Sequence, residues 1–337
     1  MKYNYIILGS PSDLYIRSYS DLKQLKNVLY VPGIFSTLNI IERIIFRFFT
    51  WEKLTRIICL PFKTFWNKRI FKQCEDCISD HNCFVFIGDW VEYEDELQIV
   101  EYLRSVYKEC KIVLFLQDLV CTKRMKNGKP WDVPVLKEKF DAVISFDHND
   151  CDKYGFIYHH LIFSIGSVET KDSPTSDVYF VGKAKNRLND ILSAYKKLIG
   201  AGLVCDFHIA GVAIEDRLFS DEIDYEPQIT YEENIHRILH TKCILEVMQK
   251  DGAGYTQRVC EAVCLDKKLI TNNPEIDKAP FYNPALICKY NDAQSIDDDF
   301  IRDIKENNNV DYNYKDKFSP INFLNFIETL LLDMSNS

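Results

Sequence analysis

Lys183, Lys185 and Arg187 follow the apolar stretch Val178-Tyr-Phe-Val181 and a glycine, Gly182, and they precede a helical run from Leu188 to Ile199. A strand that breaks at Gly182, three cations and a helix N-terminus together form a phosphate cradle, because the unpaired N–H groups and the positive end of the helix attract an anion. Cations are unfavourable at that end of a helix unless an anion joins them, and the competing reading is of ordinary exposed side chains. A second loop, Gln249-Lys-Asp-Gly252-Ala-Gly254-Tyr255-Thr256, leaves the short apolar stretch Cys243–Val247 and meets a helical run from Gln257 to Leu265. Thr256 suits an N-cap, and Gly252 and Gly254 admit close approach of backbone to a ligand. Arg258 and Glu261 are three apart on that helix and share a face, with Val259, Ala262 and Val263 on the apolar side. On spacing alone Glu261 is either a ligand group or a partner of Arg258 or Gln257.

A general base is a second requirement of group transfer, and the N-terminal half offers four side chains of suitable type. Candidate strands Tyr5–Leu8, Val28–Val31, Cys83–Ile87, Lys111–Leu116 and Ala142–Phe146 mostly end in polar pairs, namely Gly9-Ser10, Gly88-Asp89, Gln117-Asp118 and Asp147-His148. Ligands of open parallel sheets meet the carboxyl ends of strands, so these residues line one edge. Asp89, Asp118, Asp147 and His148 can each take a proton from an attacking hydroxyl. Each can also cap a helix or shape a turn. Asp89 leads because Gly88 leaves its surroundings open and Trp90 can stack on a sugar face.

These groups need rigid elements to hold them. Strands alternate with helical runs, including Glu94 to Lys108 between the third and fourth strands, which implies mostly parallel sheets. Leu188 to Ile199 stops at Gly200-Ala-Gly202, and a strand from Leu203 to Ala210 follows, completing a βαβ unit. The 337 residues, 47% hydrophobic and 27% charged, suit two ordinary α/β domains. Residues 1–165 form the first and 176–320 the second, with a small polar linker around 164–177 and a closing helix in 321–337 that returns to the first domain. The fold class is α/β, with two facing Rossmann-like domains and a cleft between them.

Across Tyr179-Phe-Val-Gly182-Lys-Ala-Lys-Asn-Arg187, Cys205-Asp-Phe-His-Ile-Ala-Gly211, Tyr255-Thr-Gln-Arg-Val-Cys-Glu261-Ala and Lys267-Lys-Leu-Ile-Thr-Asn-Asn273, the chain resembles the donor-binding half of GT-B glycosyltransferases. The resemblance is strongest to bacterial enzymes that build lipopolysaccharide, capsule or other surface glycans, and it covers about half of the chain. It implies that Lys183 and Arg187 hold the donor diphosphate, that Thr256 and Arg258 flank the phosphate or sugar, and that Glu261 accepts from the ribose hydroxyls. Gly182, Gln249, Gly254 and Tyr255, in the same two loops, and Gly9 at the end of the first strand join the substrate-binding set. Retaining members commonly carry a second glutamate eight positions before the ribose glutamate. Ala253 stands there, so an inverting mechanism is expected.

The expected function is transfer of a sugar from a nucleotide-sugar donor to a hydroxyl of a glycan or lipid-linked glycan, with Asp89, Asp118 or His148 as base. The cationic loops neutralise the leaving diphosphate, so neither a metal nor another cofactor is expected. Asp297-Asp-Asp299 is poorly placed for a metal motif, and Cys74, Cys77, Cys83 and His81 read better as incidental thiols and an imidazole than as a zinc site. A nucleotide-sugar epimerase and a catalytically silent assembly partner are the alternatives.

The net charge of −9 argues against nucleic acid as a partner. Scattered cysteines and a first apolar run too short for a signal peptide point to the cytoplasm. Residues 33–72 are different, because eight cations against Glu42 and Glu52 give this aromatic-rich segment +6 and leave −15 on the remainder. A basic, aromatic, helical stretch suggests contact with an anionic membrane surface, at the inner face of the cell membrane. The alternative is that its aromatics pack into the first domain.

Overall fold

The structure, a computed structural model, describes residues 2–55, 57, 61–77, 79, 81–166, 174–249, 252–306 and 309–336. Residues 1–164 with 320–337 make one compact unit and 165–319 a second. Most of the expected linker, 167–173, lies outside the described residues, as do Arg56 and Ile58 of the basic segment and Lys250 and Asp251 of the second loop.

The first unit is built on six parallel strands: β1 (Asn4–Leu8), β2 (Val28–Val31), β3 (Asn82–Ile87), β4 (Lys111–Leu116), β5 (Ala142–Ser145) and β6 (Ile157–Tyr158). Their order is β2-β1-β3-β4-β5-β6. Ile6 pairs with Leu29 and Phe84, and Leu8 with Val31 and Phe86. Successive side chains point to opposite faces. Ile6, Leu8, Phe84, Phe86, Ile112 and Leu114 therefore join one apolar cluster, while Tyr5, Ile7, Cys83, Val85, Val113 and Phe115 join another. Burial on both faces explains why these strands are unbroken apolar runs. The helix Pro320–Asn336 covers the second face with Phe323, Leu324, Ile327 and Leu331. Each such side chain contributes about 1.5–3 kcal/mol by leaving water.

In the second unit β7 (Ser176–Lys183), β8 (Cys205–Ala210), β9 (Thr241–Glu246), β10 (Lys268–Thr271) and β11 (Ile287–Lys289) form another parallel sheet, ordered β11-β10-β9-β7-β8. The helix Leu188–Gly200 follows β7 and ends where Gly202 takes φ +75°. That left-handed position is the one a helix C-terminus reserves for glycine.

Three local expectations change. The helical run from Glu94 to Lys108 is two helices, Glu94–Leu97 and Ile99–Val106, divided at Gln98 with φ 52°. The break lets the buried Glu94 carboxylate accept from Ile99 N at 3.0 Å and Val100 N at 3.3 Å while pairing with Lys139 at 3.0 Å. Burial and then neighbouring Glu101 push that carboxyl up to about 8. β7 does not break at Gly182 but continues through Lys183, because Gly182 keeps ordinary strand geometry. β6 and β11, two and three residues long, were too short to stand out by pattern.

Candidate functional site

β10, β9 and β7 are neighbours in the second sheet, so their carboxyl ends bring three loops side by side. Arg187 joins two of them. Its guanidinium donates to Val247 O beyond β9, and from Nη2 to Lys183 O at 3.2 Å at the end of β7. A Cβ at Gly182 would lie 3.1 Å from Arg187 Nη2, so the glycine makes room for the guanidinium rather than for a turn. Burial, the largest influence, holds Arg187 below its usual value, against the opposing pull of Glu246. Lys183 is exposed, and among the described residues its ammonium meets no carboxylate. Lys185 takes φ 47° and donates to Gln249 Oε1 at 2.9 Å, linking the two loops again at their exposed rim.

The second loop is anchored from beneath. Thr256 caps the helix Gln257–Cys264 by accepting from Arg258 N at 3.1 Å, and its hydroxyl donates to Glu246 at the end of β9. Glu246 is buried and its other oxygen accepts from Thr271 of β10. Burial raises its carboxyl, and the two hydroxyls and the nearby Arg187 and Arg258 oppose that rise. Asn272 Oδ1 accepts from Met248 N at 2.6 Å, and Asn273 Nδ2 donates to Gly254 O at 3.1 Å. Met248 and Gly254, on either side of the loop's first glycine, are thus both tied to the segment that follows β10. Tyr255 packs inward, its ring 5.3 Å from that of Phe281 in an edge contact, and burial pushes its hydroxyl up to about 12.

Glu261 is fully buried. Oε1 accepts from Tyr231 Oη at 2.8 Å and Asn234 Nδ2 at 3.2 Å, and Oε2 lies 2.5 Å from Arg258 Nη1. Arg258 also donates to Asn234 Oδ1 at 3.0 Å, which accepts from Tyr179 Oη at 3.1 Å. The helix Tyr231–Leu239 therefore supplies the partners of both residues. Burial raises the Glu261 carboxyl, against the pull of Arg258 and of its two hydrogen-bond donors.

In the first unit, Asp89 stands after β3 and Asp118 after β4, and Lys123 Nζ lies 3.8 Å from the first and 2.8 Å from the second. Both carboxylates are about half exposed. Asp89 lines a cavity of about 560 Å³ that Gly9, Gly33, Tyr93, Arg43 and Arg47 also border. Asp118 and His148 are not among its lining residues. The His148 ring stacks on Tyr158 with centroids 3.8 Å apart and planes at 14°. Asp147 is a buried cap, accepting from Asp150 N at 3.0 Å.

Trp90 is not available to a sugar. It is 1% exposed, packs against Phe71 and donates from Nε1 to Gly9 O at 2.7 Å. Tyr93 and Phe35 line the cavity together with the small part of Trp90 that reaches it. Cys74 is a buried thiol raised to about 12, chiefly by burial, and Cys83 is raised by burial as well. Among the described residues no three His, Cys, Asp or Glu side chains gather in a metal-binding arrangement.

Sequence reasoning missed Glu246, Tyr231, Asn234 and Asn273. Glu246 carried a signal, a carboxylate closing an otherwise apolar strand. Tyr231 and Asn234 stand far from Glu261 in sequence, and nothing in local spacing marks them.

Neither a family model nor a curated protein sequence matches this chain. Among solved structures, a UDP-forming alpha,alpha-trehalose-phosphate synthase from Burkholderia xenovorans is similar at TM-score 0.53, with 11% identity over 99% of each chain. A sucrose-phosphate synthase from Thermosynechococcus elongatus covers 80% of this chain and 78% of its own at 9% identity and TM-score 0.45. A UDP-GlcNAc 2-epimerase from Methanocaldococcus jannaschii, 14% identical over 96% of this chain and 99% of its own, gives 0.41. At these identities the likeness is one of fold. The two-unit α/β architecture is the GT-B fold.

Proposed function

We propose that this chain is a glycosyltransferase that moves a sugar from a nucleotide-sugar to a hydroxyl of a glycan or lipid-linked glycan, with inversion and without a metal. The observation that carries the reading is that Lys183 and Arg187 at the end of β7 stand beside Arg258 and the N-terminus of the helix Gln257–Cys264, which follow the neighbouring strand β9. Fixed cations and N–H groups there stabilise the charge that grows on a leaving diphosphate. Lys183 makes the direct contact, while Arg187 and Arg258 act from anchored positions. Glu261, held by Tyr231 and Asn234, orients Arg258, and the resemblance gives it the ribose as well.

In the reaction the acceptor oxygen attacks the anomeric carbon and its proton passes to a base. The bond from that carbon to the diphosphate breaks, and the nucleoside diphosphate leaves with the electron pair. Asp89, beside the cavity, is the base. Ala253, where retaining relatives carry a glutamate, supports inversion. The basic segment 33–72 is proposed to rest on the inner face of a membrane and to bring lipid-linked glycans of the lipopolysaccharide or capsule type to a cytoplasmic enzyme. Among the described residues no helix is long and apolar enough to cross a membrane.

The test is incubation of purified protein with labelled nucleotide-sugars and membrane extracts of acceptor. Transfer yields free nucleoside diphosphate and labelled product, and Asp89→Asn lowers turnover by about 10²–10⁴-fold. Recovery of an altered sugar still bound to nucleotide would mean an epimerase, and binding without turnover a silent partner.

A further inference from the structure

The helix Ile40–Phe49 is apolar on the side that faces away from the first unit. Ile40, Ile41, Ile44, Ile45 and Phe48 are between 42 and 71% exposed, whereas Phe46 is buried against Trp66, their ring centroids 5.2 Å apart. At about 100° per residue the five outward residues span an arc of roughly 140°. Trp51, Phe62 and Phe65 add further exposed aromatic surface nearby in sequence. A patch of this kind marks an interaction site rather than ordinary surface.

Arg43 and Arg47 occupy the border of that arc and line the 560 Å³ cavity on its other side. Asp89 and Glu92, the carboxylates of the cavity, already face Lys123 and Lys126 at 3.8 and 2.9 Å. Among the described residues neither arginine meets a carboxylate within ion-pair distance. Arg43 Nε donates to Leu38 O at 2.8 Å, which fixes its stem, and Arg47 lies over the Phe35 ring at 5.2 Å. Two anchored, unneutralised guanidiniums therefore stand between a polar cavity and an apolar ledge. Guanidiniums in such positions suit a phosphate.

We propose that this cavity and ledge together bind a phosphate-bearing lipid, the phosphate between Arg43 and Arg47 and the hydrocarbon along Ile40, Ile41, Ile44 and Phe48. The inference rests on the glycosyltransferase reading and names its acceptor class, because Asp89 lines the same cavity. A ligand with only one of the two chemistries leaves either the arginines or the apolar face unmatched.

The test is co-sedimentation of the full chain with vesicles of phosphatidylcholine alone and of phosphatidylcholine containing phosphatidic acid, whose headgroup is a phosphate monoester. Binding to the second exceeds binding to the first by at least about tenfold. Arg43→Ala with Arg47→Ala abolishes that preference, and inorganic phosphate in solution reduces it. Ile41→Ser with Ile44→Ser weakens binding to both vesicles, and since both residues are exposed the circular dichroism of this variant matches the parent. Ile44→Asp alone serves if the pair does not fold. Equal binding to both vesicles overturns the proposal. So does a preference that phosphate leaves unchanged, which is general surface attraction, or a concentration-dependent dimer lost in the isoleucine variant, which means a second copy covers the ledge. Nucleotide-induced stabilisation, read on the same preparations, keeps the two claims apart. Failure with lipid and success with nucleotide sinks this inference alone, whereas the reverse sinks the glycosyltransferase reading.

Discussion

The Thr256 hydroxyl donates to Glu246 while accepting from Arg258 N, so one threonine both caps a helix and fastens its N-terminus to the end of β9. Glu246 holds Thr271 in the same way. Two strands and the glycine loop thus share one buried carboxylate. Glu246→Ala leaves two hydroxyls without their acceptor and lowers stability by about 2–3 kcal/mol. Glu246→Gln keeps one acceptor oxygen and loses less. All four tryptophans, Trp51, Trp66, Trp90 and Trp131, lie in residues 1–164. In urea the loss therefore shows in the circular-dichroism transition and leaves the tryptophan fluorescence transition in place.

Glu261→Ala removes the partner of a half-buried guanidinium and the acceptor of Tyr231 and Asn234 together. Breaking a buried pair from one side typically costs about 3–5 kcal/mol. The variant therefore unfolds at distinctly lower urea, and its loss of nucleotide binding cannot by itself report a ribose contact. Glu261→Gln separates the two roles, since it retains the Tyr231 hydrogen bond and loses only the charge opposite Arg258.

At the end of β1 the prediction concerns space. A Cβ at Gly9 would lie 2.3 Å from the Tyr30 ring, which is held by its hydroxyl to Ser10 O at 2.8 Å and by Ser10 N at 3.0 Å. Gly9→Ala displaces that ring and costs about 1–3 kcal/mol by overpacking. Because Trp90 donates to Gly9 O, this loss does appear in tryptophan fluorescence.

The second unit also carries a pH-dependent clamp. His208 of β8 lies 2.9 Å from Asp224 and 2.7 Å from Asp206, and Arg237 and Glu233 of the helix Tyr231–Leu239 and the Tyr179 ring complete its surroundings. Burial works against the imidazolium, but the two carboxylates outweigh it and raise His208 above 6.5. Its contribution is complete below about 6.5 and is lost as pH rises through the raised value. Asp206, despite burial, is lowered by His208 and Arg237, so its contribution is present above about 3.9 and fades as pH falls through the lowered value. Thermal midpoints followed by circular dichroism fall on both sides of that window, and His208→Gln removes the alkaline fall.

The strands of both sheets were legible because burial on two faces writes them as apolar runs, as in Asn82–Ile87 and Lys111–Leu116. The start of the helix Gln257–Cys264 was legible too, since Thr256 caps it as its type suggests, whereas Gly182 was read as a turn and lies within β7. What sequence spacing does not contain is the third dimension of a side chain. Trp90 follows a glycine and an aspartate, and only the packing of Phe71 and Gly9 against it shows that it faces the core. Arg187 was read as a ligand, and its hydrogen bond to Val247 O depends on a strand that arrives 60 residues later. In the segment 33–72 the packing reading holds for Phe46, Trp66 and Ile70, which are buried, and not for Ile40, Ile44 and Phe48, which are exposed.

In the proposed reaction a nucleoside diphosphate sits at the ends of β7, β9 and β10. Thermal stabilisation by a panel of UDP-, GDP-, dTDP- and CMP-sugars and their free nucleotides, measured on the parent and on Lys183→Glu, checks that placement. One nucleotide class stabilises the parent by about 2.7 kcal/mol at a hundredfold excess over Kd. Lys183→Glu, altered at an exposed side chain, keeps the ligand-free midpoint and loses that gain. No stabilisation by any nucleotide, or an equal gain in the variant, contradicts the account.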